Sequence, residues 1–367
     1  MTIEDLSLLF TRGIGSRGAS HLIEYFGSAE ALFAASRSEI IEGAGLRAEL
    51  ADNLFDGRNM ELARREVEYC RRNNICAIAA TDAEYPEALR VVADRPHILF
   101  VQGNVDILRR NTLAMVGTRE ASPAGVHACN TLVEALSGDV DNLVIVSGLA
   151  YGIDAAAHRA ALSADIPTIA VVATTLPEVS PAAHRNLADE ILRKGGAIVS
   201  ELHSATRHNG SMFIARNRII AGLSHGTLVV ESPASGGSLA TAEMADSYGR
   251  VVMAVPGRIT DPASFGTNNL IRAGKARLVL TAADIVEDLG WVRGAGNDRL
   301  PEEITITEAL TAAQRSVYEA FDNASTLDWS SLSEATGLTL GELSMVVMEL
   351  ELKGLIRMLP GRRYERV

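Results

Sequence analysis

Cysteine is nearly missing from this chain: Cys70, Cys76 and Cys129 are the three in 367 residues. Three scattered thiols supply neither a disulfide framework nor a cysteine-rich zinc site, which suits a reducing compartment. Aromatic side chains make up only 5%, too few for a long stacking platform. Long apolar runs are absent too: stretches such as Ile169 to Ala173 fall far short of the ~20 residues that cross a bilayer. The opening Met-Thr-Ile-Glu-Asp-Leu lacks the basic start and apolar core of a secretory signal, so a cytoplasmic protein without membrane contact is expected. Basic charge is in deficit, with a formal net charge of -12. That excludes a protein coated in nucleic acid but leaves room for a local basic groove, since salt confines each charge to roughly 8–10 Å. There is no HExxH, no clustered Cys/His set and no Gly-x-Ser-x-Gly elbow. The lysine of a nucleoside-triphosphate loop is missing as well, because Gly236-Gly237-Ser238 runs into Leu239. No metal, cofactor or catalytic residue is expected.

What is present is a well-mixed chain with 47% apolar residues, long enough for two or three domains. Residues 1–80 carry apolar positions at spacings of three and four, broken by glycines, and predict a small all-helical domain. Arg12-Gly-Ile-Gly15 and Glu42-Gly-Ala-Gly45 fit the turn of a helix-hairpin-helix. Such a turn either offers helix-start N–H groups to a DNA phosphate or simply uses glycine to reverse the chain. From residue 81 to 290 the pattern becomes strand, loop, helix. Apolar runs at Leu113–Val116, Leu143–Val146, Thr168–Val172, Ala197–Val199, Thr227–Val230, Val251–Val255 and Leu278–Leu280 are separated by amphipathic segments. Strands apolar throughout are buried on both faces, so the fold class is α/β, a Rossmann-like doubly wound, mostly parallel sheet. His97–Val101 can add a strand at its leading edge. Residues 291–303 read as a linker, rich in glycine and charge. Residues 304–367 predict three helices and a hairpin about Pro360-Gly361, the winged-helix arrangement. Its last fifteen residues hold five basic side chains against one acid, yet the helix that would read DNA, from Leu340, is apolar and acidic. Winged helices serve either DNA binding or protein docking.

Candidate site residues gather where strands end, since ligands of open parallel sheets bind beyond the carboxyl ends. Val116-Gly-Thr-Arg119 leaves one strand and Ser147-Gly-Leu-Ala-Tyr-Gly-Ile-Asp154 the next. Phe213-Ile-Ala-Arg-Asn-Arg218 opens a helix, and Ser235-Gly-Gly-Ser238 the following one. Glycine loops let backbone N–H groups approach an anion, and helix starts carry partial positive charge. Each position has a plainer alternative. Arg119 can pair with Glu120, and Arg216 and Arg218 cannot both face the sheet, so one can hold Glu201 or Glu231. Asp154 can be a first-turn acid, and His158 a buried, hydrogen-bonded side chain.

Taken in order, Val116-Gly-Thr-Arg119, Ser147 to His158, Arg216 to Ser224, Ser235 to Ala242 and Gly249 to Gly257 resemble the signature blocks of the DNA-processing protein DprA, or Smf, family. The flanking segments resemble its helix-hairpin-helix or SAM-like domain and its winged helix. The resemblance implies a non-enzymatic protein that binds single-stranded DNA, shields it during natural transformation and helps load the RecA recombinase. It also implies a homodimer formed through the Rossmann-like domain. Carried over by motif, the DNA groove comprises Gly117, Thr118, Arg119, Ser147, Gly148, Phe213, Arg216, Asn217, Arg218, Gly237 and Ser238. Phe213 is the one aromatic of the blocks expected to stack on a base, so binding should lean on phosphates and weaken with salt. Ala173-Thr-Thr-Leu-Pro-Glu-Val-Ser-Pro181 departs from the family's glycine-rich run after the third strand, and its residues are left off the site. Two other readings compete. A phosphoribohydrolase of the LOG type would align its glutamate with Glu243 but finds Leu239 and Ala240 in place of its Gly-Thr. A partner-docking protein with vestigial DNA contact would rely on the winged helix.

Overall fold

Runs such as Leu113–Val116 and Leu143–Val146 are buried along their whole length in the computed structural model, as strands covered on both faces must be. The structure describes residues 1–207, 209–292, 310–323, 326–352, 355–359 and 363–366. Nine strands form one sheet: β1 (Ile75–Ala79), β2 (Ile98–Gly103), β3 (Asn111–Gly117), β4 (Leu143–Ser147), β5 (Thr168–Val171), β6 (Ala197–Ser200), β7 (Gly226–Glu231), β8 (Val251–Ala254) and β9 (Arg277–Leu278). Their order is β1-β2-β6-β5-β4-β3-β7-β8-β9. From β6 to β9 all neighbours are parallel, while β2 joins β6 antiparallel and β1 joins β2 antiparallel. The fold is therefore the expected Rossmann-like, mostly parallel α/β sheet. Chain order reverses between β3 and β7, the place where doubly wound sheets open a crevice.

Two apolar layers sandwich the sheet. One side packs Val116, Val146, Val171, Val199 and Val229 against Ile219, Ile220, Leu223 and Ala245. The other packs Met115, Ile145, Leu228 and Met253 against Leu132, Leu136, Ala157 and Ile285. Helix starts are capped as the residue types dictate: Ser122 Oγ accepts from Gly125 N, with Pro123 in the first turn.

The first 80 residues differ from expectation in one respect. Ile75-Cys-Ala-Ile-Ala79 is a strand, β1, rather than a continuation of helix. A five-residue apolar run is ambiguous by periodicity, and its pairing with Phe100 and its neighbours decides the outcome. Residues 1–297 cluster as one compact unit. Leu6, Ala63 and Cys70 share a core with Ile98, Phe100 and Ile198. A smaller helical core of Leu8, Leu22, Leu32, Ile40 and Leu54 lies outside it. The two glycine turns lie between Ile3–Phe10 and Ser16–Phe26, and ahead of Ala48–Leu54.

Residues 298–367 form a second unit. Helices Ala312–Glu319, Trp329–Thr336 and Leu340–Leu352 pack around Val317, Leu332, Leu343, Val347 and Leu350. Strands β10 (Thr326–Asp328), β11 (Ile356–Leu359) and β12 (Arg363–Arg366) pair antiparallel in the order β10-β12-β11. This is a winged helix. The linker expected over 291–303 lies outside the described residues from 293 onward, as does the Pro360-Gly361 turn. Among the described residues no helix is long and apolar enough to cross a membrane.

Candidate nucleic-acid interface

At the reversal between β3 and β7, a cleft of about 240 Å³ opens beyond the strand ends. Its walls come from the β3 end with Gly117, Thr118 and Arg119, and from helix Ser211–Leu223 with Phe213, Arg216 and Asn217. The third wall is the start of helix Gly237–Ser247, with Gly237 and Ser238. That helix has no side-chain cap, and Gly236 before it is exposed and extended. Its leading N–H groups therefore face the cleft with partial positive charge. Asn217 Nδ2 donates to Gly237 O at 3.3 Å and ties the two helix mouths together.

Arg216 is 6% exposed. Its Nη1 donates to Gly148 O at 2.7 Å and to Val171 O, and its Nε to Asn217 Oδ1 at 3.2 Å. Burial lowers its pKa to about 10, with Asp154 opposing and Arg119 adding to the shift, so it remains a cation at neutral pH. Asp154 Oδ2 accepts from Gly148 N at 3.1 Å and Ala150 N at 3.3 Å. Burial raises its pKa, against the pull of Arg216 and these hydrogen bonds. Asp154 is thus a staple for the Ser147–Ala150 loop. Gly148 sits between the two charges: a Cβ there would lie 2.6 Å from both Arg216 Nη2 and Asp154 Oδ2. Arg119 is exposed, and among the described residues it has no ion pair, with Glu120 or any other acid. The cleft therefore has one buried, positioned guanidinium in its wall and one free guanidinium at its lip.

The sequence comparisons agree in one direction. A family model described as DNA recombination-mediator protein A matches residues 76–290, and one for the DprA winged helix domain matches 302–362. Protein Smf of Escherichia coli is 35% identical over 314 residues, 83% of this chain and 82% of its own length. The chain belongs to the DprA/Smf family. The DNA processing protein DprA of Streptococcus pneumoniae is 41% identical over 204 residues, 56% of this chain and 71% of that one. Its X-ray structure superposes with a TM-score of 0.68 at 33% identity, covering 78% of this chain and 98% of that one. A structure of DprA from Helicobacter pylori, described for its single-stranded DNA binding mode, gives 0.52 at 26% identity over 59% of this chain and 95% of that one.

Not every DprA motif residue reaches the cleft. Ser147 is fully buried, and its hydroxyl donates to Met115 O at 2.6 Å. Gly148 is buried, with its N–H on Asp154 and its carbonyl on Arg216. Both shape the loop beneath the cleft, and neither lines it. Arg218 turns to the opposite side of its helix, where Nη2 donates to Glu201 Oε2 at 2.5 Å and to Ser16 Oγ at 3.4 Å. It holds the helical segment to the end of β6 and does not line the cleft. His158 is a fully buried side chain with Nδ1 2.8 Å from Thr168 Oγ1, and desolvation holds its pKa near 3, so it stays neutral. Glu243 is exposed and outside the cleft, so the phosphoribohydrolase alignment has no glutamate at the site.

Sequence reasoning singled out the segments but not every wall residue: Ser235, Gly236, Ile214 and Thr241 also line the cleft. Tyr151, 50% exposed, stands with Arg119 and Arg159 around an adjoining depression, its ring 4.9 Å from that of His184. Tyr151 thus joins Phe213 as a second aromatic near the cleft, its exposure depending on which loop face turns outward. The Ala173–Pro181 loop lies outside the cleft, with Leu176 O accepting from Tyr69 Oη at 2.7 Å.

Glu66 carried no sequence signal at all. It is 2% exposed on helix Gly57–Arg72 and accepts from Ser204 N at 3.0 and 3.1 Å and from Ser204 Oγ at 2.5 Å. It thereby fixes the loop leading into the helix of Phe213. We expect Glu66→Ala to cost about 1.5–3 kcal/mol in urea unfolding, the range for hydrogen bonds to a charged group. Glu66→Gln, which keeps an acceptor, should lose less.

Proposed function

We propose that this chain binds single-stranded DNA without sequence preference, protects incoming strands and helps load the RecA recombinase on them. Its role is then that of a non-enzymatic mediator in natural transformation or recombination. The observation that carries this is the convergence in one cleft of the Arg119 and Arg216 guanidiniums with the uncapped mouth of helix Gly237–Ser247. Arg119 takes a phosphate at the lip, and Arg216 directs positive potential into the wall. The Gly236–Ser238 backbone offers N–H groups to the next phosphate, and Phe213 and Tyr151 give bases a face to stack on. The single-strand binding named for the Helicobacter pylori relative supports the same reading. Ser147, Gly148 and Arg218 belong to this proposal as supports for the groove, not as contacts.

A homodimer through the Rossmann-like unit fits the open edge at β9. Leu278 and Leu280 are 43% and 69% exposed there, with Ile259 at 87% and Phe265 at 39%. A cytoplasmic location follows from the same role.

The test is fluorescence anisotropy of labelled oligo-dT across a salt series. Wild type should bind with log Kd rising linearly in log salt, and Arg119→Ala should flatten the slope by about 0.7, one phosphate contact on a single strand. Thermal unfolding should be unchanged, because Arg119 is exposed and unpaired. Identical slopes would remove Arg119 from the groove, and no oligo-dT binding at low salt would refute the function.

A further inference from the structure

The helix that a winged helix would lay into a DNA groove, Leu340–Leu352, contains no Lys, Arg, His, Asn or Gln. It therefore has none of the long donors that hold phosphates or read base edges. Leu343, Val346, Val347 and Leu350 face the core. With about 100° per residue, the solvent arc is ordered, and Met345 and Met348 lie at its middle beside the small Gly341 and Ser344. These methionines are 67% and 61% exposed. Glu351 borders the arc on one side, and Glu342 and Glu349 border it on the other. Glu342 and Glu351 are held in place, by Thr339 N at 3.0 Å and Met358 N at 3.2 Å. An adaptable apolar stripe between two acidic borders repels a phosphate backbone. It complements a helix whose apolar stripe is bordered by Lys or Arg on both sides, the arrangement by which charged flanks select partners in paired helices.

We propose that this face of the winged helix docks a basic amphipathic helix of a partner protein, and does not read duplex DNA. This goes beyond the single-strand function of the first unit and is independent of it. The test uses the full-length protein to select from a phage-displayed library of random 16-residue peptides, followed by affinity measurements on synthetic copies. Selected peptides should carry Lys or Arg around apolar residues at i, i+3 or i+4, and i+7. They should bind at least tenfold more weakly to a Met345→Ser/Met348→Ser double variant, whose exposed substitutions leave the core intact. A 30-base-pair duplex should bind wild type and double variant alike. The proposal is overturned if no peptides are enriched, if those enriched are acidic or neutral, or if they bind the double variant equally. A loss of duplex affinity in the double variant would overturn it in favour of DNA reading.

Discussion

Arg216→Ala should weaken oligo-dT binding and also destabilise the fold, by about 3–5 kcal/mol at pH 8, the range for removing one partner of a buried charge pair. The sequence places Arg216 beside Asn217 and Arg218 as a groove arginine. Burial gives it a second role. Its guanidinium satisfies two backbone carbonyls, of Gly148 and Val171, and offsets the buried charge of Asp154. The variant leaves those carbonyls short of a donor and Asp154 without its cation. The sign of the pH dependence follows. Burial already raises the Asp154 pKa, and Arg216 is the largest influence opposing that rise. Without Arg216 the folded-state pKa climbs further, so the ionised form is the costly one. The stability deficit is then greatest well above that pKa and shrinks as pH falls through it. Urea unfolding of both proteins at pH 8 and pH 5.5 measures this. A deficit equal at the two pH values would mean that Asp154 is not the group left uncompensated.

Gly152→Ala should abolish tight single-strand binding and cost about 3 kcal/mol or more. Gly152 has φ +74° and ψ −126°, and a Cβ there would lie 2.1 Å from Thr118 O. Backbone forced into such a region costs an L-residue about 1–3 kcal/mol, and relieving an overpacked contact about the same again. The displaced atoms belong to Thr118 and Arg119, because this turn and the β3 end are joined by Ile153 N donating to Thr118 O at 3.0 Å. The substitution thus moves the free guanidinium at the lip of the cleft. Gly57→Ala, outside the cleft, is the control: no heavy atom lies within 4 Å of a Cβ there, so the fold should be unchanged. Circular dichroism melts and oligo-dT titration of the two variants should separate sharply. A Gly152→Ala protein as stable as wild type would mean that the turn can rebuild without moving Arg119.

The parallel sheet, the winged helix and the four loops of the cleft were legible in the chain, because each is written in local terms. Runs apolar on every residue mark strands buried on both faces, and glycine with small polar residues at strand ends marks backbone open to an anion. Family motifs placed those loops in one protein class. What local pattern does not carry is the partner of a side chain far along the chain. Arg216 and Arg218 are alike in sequence context, but two residues on a helix are turned by about 200°. One enters the floor under Gly148, 68 positions away in the chain, and the other pairs with Glu201. Ser147 stands in a glycine loop at a strand end, but its hydroxyl donates to Met115 O on the neighbouring strand. Glu66, on a helix with no motif, reaches Ser204 across 138 positions. The sequence by itself determined which glycine loops, helix starts and arginines lie at the strand ends. Tertiary structure alone decided which of those arginines stays exposed at the cleft and which are engaged in holding the rim together. Burial and long-range hydrogen bonding select between them, and neither has a period that can be read along the chain.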